Sequence, residues 1–198
     1  MDLVNKSKYN IILGSGSSRR KELLGMTGIN FSVMSIPVDE SFPDSLQGTE
    51  ISEYIVKNKS KAFNKLIKEN EIIITADTLV WFENKCLGKP KDKKEAKYML
   101  KLFAGKSHDV ITSVGFLTTN NFKILTESTT VIYKNLTDSE IDYYVENVNP
   151  IDKAGSYGIQ DWIGMIGVEH VNGSYTSVLG LPVPQTTDQI IKIINENL

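Results

Sequence analysis

Two segments of the chain hold residue types that could do chemistry. The first is Gly14-Ser15-Gly16-Ser17-Ser18-Arg19-Arg20, a small-residue loop that runs into a helix. Small residues let backbone N–H groups approach a ligand, and a helix N-terminus carries partial positive charge. Arg19 and Arg20 fall in the first turn, where cations oppose the helix dipole. An anion seated there would relieve that local conflict. Two solvated arginines on an exposed turn would look the same in sequence. The loop lacks the Gly-Lys-Ser/Thr of a Walker A motif and does not match the dinucleotide fingerprint.

The second segment centres on Asp77, a carboxylate late in the apolar run Ile72 to Trp81. A buried charge costs several kcal/mol unless it is paired, protonated or metal-bound. Asp is also a poor strand former. It is therefore a base or metal ligand at the carboxyl end of a strand, where open α/β sheets place their sites, or a strand-end acceptor of backbone N–H bonds. Lys61, Lys89, Asp39 with Glu40, and Gln160 are the remaining candidates. Lys61 lies on a lysine-rich helix, whereas Gly88 and Pro90 restrict the backbone around Lys89. Gln160 follows the flexible stretch Gly155-Ser156-Tyr157-Gly158. His108 and His170 are too few and too isolated for a zinc site or a histidine-based triad. Cys86 lacks an evident cationic neighbour and reads as a small apolar residue.

These residues need elements to hold them. Asn10 to Leu13 reads as a short buried strand, followed by a helix from Arg19 to Met26 with Ser17 or Ser18 as N-cap. Phe31 to Val38 reads as a second strand. Thr49 or Ser52 opens a long helix with Ile51, Ile55, Ala62 and Leu66 inward and Lys57, Lys59, Lys61, Lys65 and Lys68 on its other faces. After the Asp77 strand, Glu83-Asn84-Lys85 makes a turn. Asp92 and Glu95 then resemble a capping box for a helix that Gly105 ends. His108 to Leu117 and Lys123 to Tyr133 read as paired strands. Thr137 with Glu140 starts a helix closed by Asn149-Pro150. Trp162 to Val171 and Ser174 to Leu179, around Asn172-Gly173, suggest a hairpin. A final helix holds Ile190, Ile191, Ile193 and Ile194. Alternating helices and strands give an α/β class with a mixed sheet.

Composition narrows the function classes. With 198 residues the chain fits one domain or two small lobes. A net charge of -2 disfavours sequence-blind nucleic-acid binding, which needs a basic excess. It leaves room for a small anionic ligand gathered by a few cations. The lone Cys86 forms no internal bridge, so a reducing cytoplasm is the expected setting. The opening residues lack a signal-peptide pattern, and no apolar run is long enough to span a membrane.

Together the segments resemble the Maf family of nucleoside triphosphate pyrophosphatases. The resemblance opens at Gly14 to Leu24, close to the family's Ser-x-Ser-Pro-Arg-Arg-x-x-Leu-Leu. It continues through Asp39-Glu40-Ser41, Lys61-Ala62, Ala76-Asp77-Thr78 and Leu87-Gly88-Lys89-Pro90. Gly105 to Thr112, Asp152 to Gln160, Asn172 to Tyr175 and Gly180-Leu181-Pro182 follow in family order. Ser18 replaces the family's proline, and Phe103-Ala104 its Leu-Ser.

The resemblance implies one domain over 1–198: a mixed, twisted sheet flanked by helices, with two lobes around a nucleotide cleft, similar to inosine triphosphate pyrophosphatases. It implies hydrolysis of a nucleoside triphosphate to the monophosphate and pyrophosphate, with Mg²⁺ or Mn²⁺. The base position falls on Asp77 and the metal-side carboxylate on Glu40, with Asp77 able to share the metal. Phosphate-binding cations fall on Arg20, Lys61 and Lys89, and Ser15 joins the substrate loop. Arg19, Thr78 and Gln160 resemble the branch acting on dTTP and UTP. The alternatives are 7-methyl-GTP hydrolysis and a non-catalytic nucleotide sensor that restrains septum formation. Neither a nucleic-acid nor a membrane partner is expected, and a homodimer is a family-based expectation.

Overall fold

β-branched runs in the middle of the chain build one sheet, and the shorter amphipathic segments pack on its faces. The computed structural model describes residues 1–196. Helix α1 (Asp2–Asn5) precedes β1 (Asn10–Leu13), α2 (Ser18–Gly25) and β2 (Phe31–Val33). Next come α3 (Thr49–Lys61), β3 (Glu71–Phe82), β4 (Lys85–Leu87) and α4 (Lys93–Phe103). β5 (Ser107–Leu117) and β6 (Phe122–Tyr133) lead to α5 (Asp138–Val148) and two 3-10 turns, Pro150–Asp152 and Ala154–Ser156. The chain closes with α6 (Trp162–Gly167), β7 (Val168–Asn172), α7 (Tyr175–Val178) and α8 (Val183–Asn195).

The sheet is mixed, as expected, with strand order β2-β1-β3-β5-β6-β7 and β4 paired to β3. β1 runs parallel to β2 and β3, and the other pairs are antiparallel. Helix starts follow their caps. Ser17 accepts from the Arg20 N–H and Asp92 from the Glu95 N–H, while Thr137 and Glu140 form a full capping box. Asn149, left-handed at φ 54°, stops α5 just before Pro150.

Three expectations need correction. The second strand ends at Val33 rather than Val38, because β1 offers no partner past Leu13 and Pro37 cannot donate to a ladder. The residues after it form a loop instead. The helix expected to continue through Leu66 stops at Lys61; Phe63 turns into the core and Leu66 is exposed. The expected hairpin over Trp162 to Leu179 is helix, strand, helix. Ile163, Gly164 and Gly167 are buried at helical spacing, and the Ser174 side chain caps α7 instead of continuing a strand.

Sheet alternation decides where the site lies. On one face, Ile72, Ile74, Ala76, Val114 and Phe116 pack with α2 and α8 in a first core. Farther along the sheet, Val80 and Phe82 of β3, Val110 of β5, and Val131 and Tyr133 of β6 pack with α4 and α5 in a second. Between the two cores lie Thr78 and its cross-strand partner Thr112. The opposite face carries α3, where Leu79 and Ile111 meet Ile51 and Ile55. Here Gly115 allows close approach: a Cβ would stand 2.7 Å from Val56 Cγ1 of α3. That seating brings the last turn of α3 against the middle of β3.

Candidate active site

The cleft opens where β1 stops. The Gly14 N–H donates to the Ile74 carbonyl at 2.7 Å, and beyond that bond β1 gives way to the loop before α2. β3 has no partner on that side until β4 joins it at Val80, so Asp77 and Thr78 border the gap rather than a neighbouring strand. Asp77 is thus mid-strand in β3, but it lies just past the carboxyl end of β1. The resulting cleft holds about 520 Å³ and is walled by the 14–20 loop, the 35–40 loop, and the 152–160 and 178–180 segments.

On the α3 face, Asp77 is 7% exposed and its Oδ1 accepts from Lys59 Nζ at 2.8 Å. The same ammonium lies 2.8 Å from Glu40 Oε1. Two carboxylates therefore converge on one cation, which offsets the cost of burying Asp77. Burial pushes the Glu40 carboxyl upward, but the Lys59 hydrogen bond and charge, with Lys89 and Arg20, hold it below its ordinary pKa. No cluster of three or more His, Cys, Asp or Glu residues suited to a metal exists among the described residues. Asp77 with Glu40 nonetheless matches the donor set of Mg²⁺ or Mn²⁺, which takes one or two carboxylates together with substrate phosphates.

On the opposite face of β3, Arg20 is locked by its fork. Nε donates to the Gly180 carbonyl at 2.9 Å, Nη2 to Thr78 Oγ1 at 3.1 Å and Nη1 to Ser15 Oγ at 3.3 Å. Gly180 sits at φ +110°, a conformation that L side chains rarely adopt, so glycine is needed to aim that carbonyl. Burial lowers the Arg20 pKa, and the nearby Asp77 and Glu40 charges pull it back up. The guanidinium stays charged, with part of its donor set left for an anion. Arg19 reaches across the cleft to Asp152 Oδ2 at 3.5 Å. That partly exposed pair contributes little to stability and leaves Arg19 available to a ligand.

The expected residues mostly meet in this cleft. Ser15, Arg19, Arg20 and Glu40 line it, as do Asp77, Thr78, Lys89 and Gln160. The Gly155 N–H donates to the Gly88 carbonyl at 3.0 Å, tying the Lys89 loop to the segment that carries Gln160. Asp39 turns away, its carboxylate accepting from Ser41 N and Oγ. Lys61 does not reach the cleft. It is exposed and bonds Asn58 Oδ1 at 3.3 Å, while Lys59 takes the expected place. Two residues of helix rotate a side chain by about 200°, so both lysines cannot share a face. The signal was present in the sequence: Lys59 extends the Ile51, Ile55 series at i+4 spacing. Lys153 was also missed. It lines the cleft, 13% exposed, with Asp152 Oδ1 at 2.8 Å and Asp161 Oδ2 at 3.7 Å. No sequence pattern distinguishes it from a surface lysine.

Comparison with known proteins bears on kinship. The family described as Maf-like protein matches residues 10–193. A dTTP/UTP pyrophosphatase of Bacteroides fragilis is 48% identical over 182 residues, covering 91% of this chain and 94% of its own. That of Bacteroides thetaiotaomicron is 44% identical, covering 96% of this chain and all of its own (100%). That of Flavobacterium psychrophilum is 48% identical over 87% of this chain and 88% of its own. Among solved structures, the Staphylococcus aureus Ham1 protein aligns with 64% of this chain and 72% of its own, at TM-score 0.45 and 11% identity. On the family match and the extent of these identities, the chain belongs to the Maf-like protein family.

Proposed function

We propose that the protein hydrolyses nucleoside triphosphates, dTTP and UTP foremost, to the monophosphate and pyrophosphate. The observation that carries this reading is the convergence of a buried carboxylate and several cations in one cleft at a helix N-terminus. Asp77 stands with Lys59 on one side of β3, and Arg20 on the other. The relatives named dTTP/UTP pyrophosphatase, alike over nearly the full chain, support the same substrates.

Attack on the α-phosphorus asks a protein for a positioned water, charge neutralisation and a stabilised leaving group. Asp77 is the base that orients the water and takes its proton. Lys59, held between Asp77 and Glu40, is placed to neutralise a phosphate that draws near. Arg20 presents its remaining N–H donors, and Lys89 and Lys153 add charge along the cleft wall. The side-chain amide of Gln160, exposed on the cleft wall, offers both a donor and an acceptor, the pair needed for a uracil or thymine edge. A divalent cation held by Asp77 and Glu40 would supply Lewis-acid polarisation of a phosphate oxygen.

A panel of triphosphates assayed for pyrophosphate release with Mg²⁺ and with Mn²⁺ tests the reading. UTP and dTTP are expected to lead. Preference for 7-methyl-GTP would overturn the pyrimidine assignment, and nucleotide binding without turnover would favour a sensor instead.

A further inference from the structure

A chain of hydroxyls leaves the cleft and enters the sheet. Arg20 Nη2 donates to Thr78 Oγ1 at 3.1 Å, Thr78 Oγ1 lies 2.9 Å from Thr112 Oγ1, and Thr112 Oγ1 donates to the Ser177 carbonyl at 2.7 Å. The same carbonyl accepts from the Gly180 N–H at 2.9 Å, and the Gly180 carbonyl accepts from Arg20 Nε. The bonds close into a ring around Thr112, which is fully buried and touches no ligand position itself.

The ends of the chain fix its direction. A guanidinium can only donate and a carbonyl can only accept. Thr112 must therefore spend its proton on Ser177, and Thr78 must spend its own on Thr112. Thr78 lines the cleft, so the only thing its hydroxyl can offer a ligand there is a lone pair. A phosphate oxygen or base carbonyl at that point would set acceptor against acceptor.

We propose that Thr112 is a positioning residue that holds the Arg20 fork and fixes Thr78 as a hydrogen-bond acceptor, so that Thr78 reads an N–H or O–H donor of the substrate. This rests on the pyrophosphatase reading. An ionised triphosphate has no donor, which places the nucleoside portion, not the phosphates, against Thr78. UTP and dTTP share two donors, the base N3–H and the ribose 3′-hydroxyl.

The test compares parent, Thr112→Val and Thr112→Ser on UTP, 3-methyl-UTP and 3′-deoxy-UTP. In the parent, the analogue lacking the donor that Thr78 reads should lose roughly tenfold or more in kcat/KM. Thr112→Val frees the Thr78 proton to turn toward the cleft, so that penalty should shrink to about twofold, while UTP itself loses roughly 5- to 30-fold. Thr112→Ser keeps the hydroxyl and should restore both values. An unchanged penalty in Thr112→Val, or no penalty for either analogue in the parent, would overturn the proposal.

A second readout needs no turnover. The Arg20 Nε–H resonance, assigned by its loss in Arg20→Lys, should be slowly exchanging in the parent and Thr112→Ser, and broadened or lost in Thr112→Val. If it is untouched in Thr112→Val, Thr112 does not position Arg20. A parent that releases no pyrophosphate from UTP sinks the function reading instead, and the resonance still decides the ring.

Discussion

The Lys59 ammonium stands 2.8 Å from Asp77 Oδ1, inside the groove between α3 and β3. The pair is well shielded, with the side chains 13% and 11% exposed, and Glu40 closes it from the loop side. A shielded cation and the buried Asp77 carboxylate each make the other tolerable, so the arrangement can persist without ligand. Its position follows from packing. Gly115 lets α3 lie close to the sheet, and the register of Ile51 and Ile55 turns Lys59 inward.

That relationship separates two lysines with similar sequence surroundings. Lys59→Ala leaves Asp77 and Glu40 facing each other without their shared cation. Its kcat/KM on UTP should fall about 100-fold or more, and its melting temperature should drop. Lys61→Ala removes an exposed side chain and should stay within about 0.5 kcal/mol of parental stability, with turnover near parental. Steady-state kinetics and thermal melts on both variants check this; equal losses would return Lys61 to the site.

Arg20 works through its shape as well as its charge. Three of its N–H directions are taken by Gly180, Ser15 and Thr78. Arg20→Lys keeps the charge but cannot reproduce the fork. The variant should raise KM about tenfold or more and lower kcat/KM at least as far, because the donors that the fork aims at phosphate act in ground and transition states alike. Full activity in Arg20→Lys would mean that charge alone suffices.

The elements that local chemistry specifies were legible in the sequence. Ser17, Asp92 and Thr137 cap the helices that their spacing predicts, and the Ile72 to Trp81 run lies within β3. The misread segments depend on tertiary partners. Val33 ends β2 because β1 ends beside it, and Ser174 starts a helix because β7 has finished pairing. In the site, the loop before α2 and Asp77 were visible as conflicts with local propensity. Lys153 was not, since Asp161 approaches it, at 3.7 Å, only in the folded chain, and its neighbour Asp152 alone does not mark it.

His108 should leave its mark on acid stability. Its Nε2 lies 2.7 Å from the Tyr157 hydroxyl, its Nδ1 has no partner among the described residues, the Phe103 ring lies tilted against it and Tyr133 stacks beside it. Burial drives its pKa from 6.5 down to about 3. Between those values the unfolded chain binds a proton that the folded one refuses, so stability falls as pH falls across that window. The slope from this one group is at most about 1.4 kcal/mol per pH unit. Melting temperatures against pH should decline less steeply in His108→Phe than in the parent. Parallel curves would show that His108 is protonated in the fold.

The most direct test of the central claim is Asp77→Asn, assayed for pyrophosphate release from UTP with Mg²⁺ and titrated for UTP binding. The substitution keeps the side chain's shape and its capacity to accept from Lys59 while removing the negative charge that takes a proton. If Asp77 is the base, kcat should fall by roughly 10²–10⁴ while UTP still binds within about tenfold of the parent. Near-parental turnover in Asp77→Asn would contradict the account and leave Asp77 as the structural partner of Lys59.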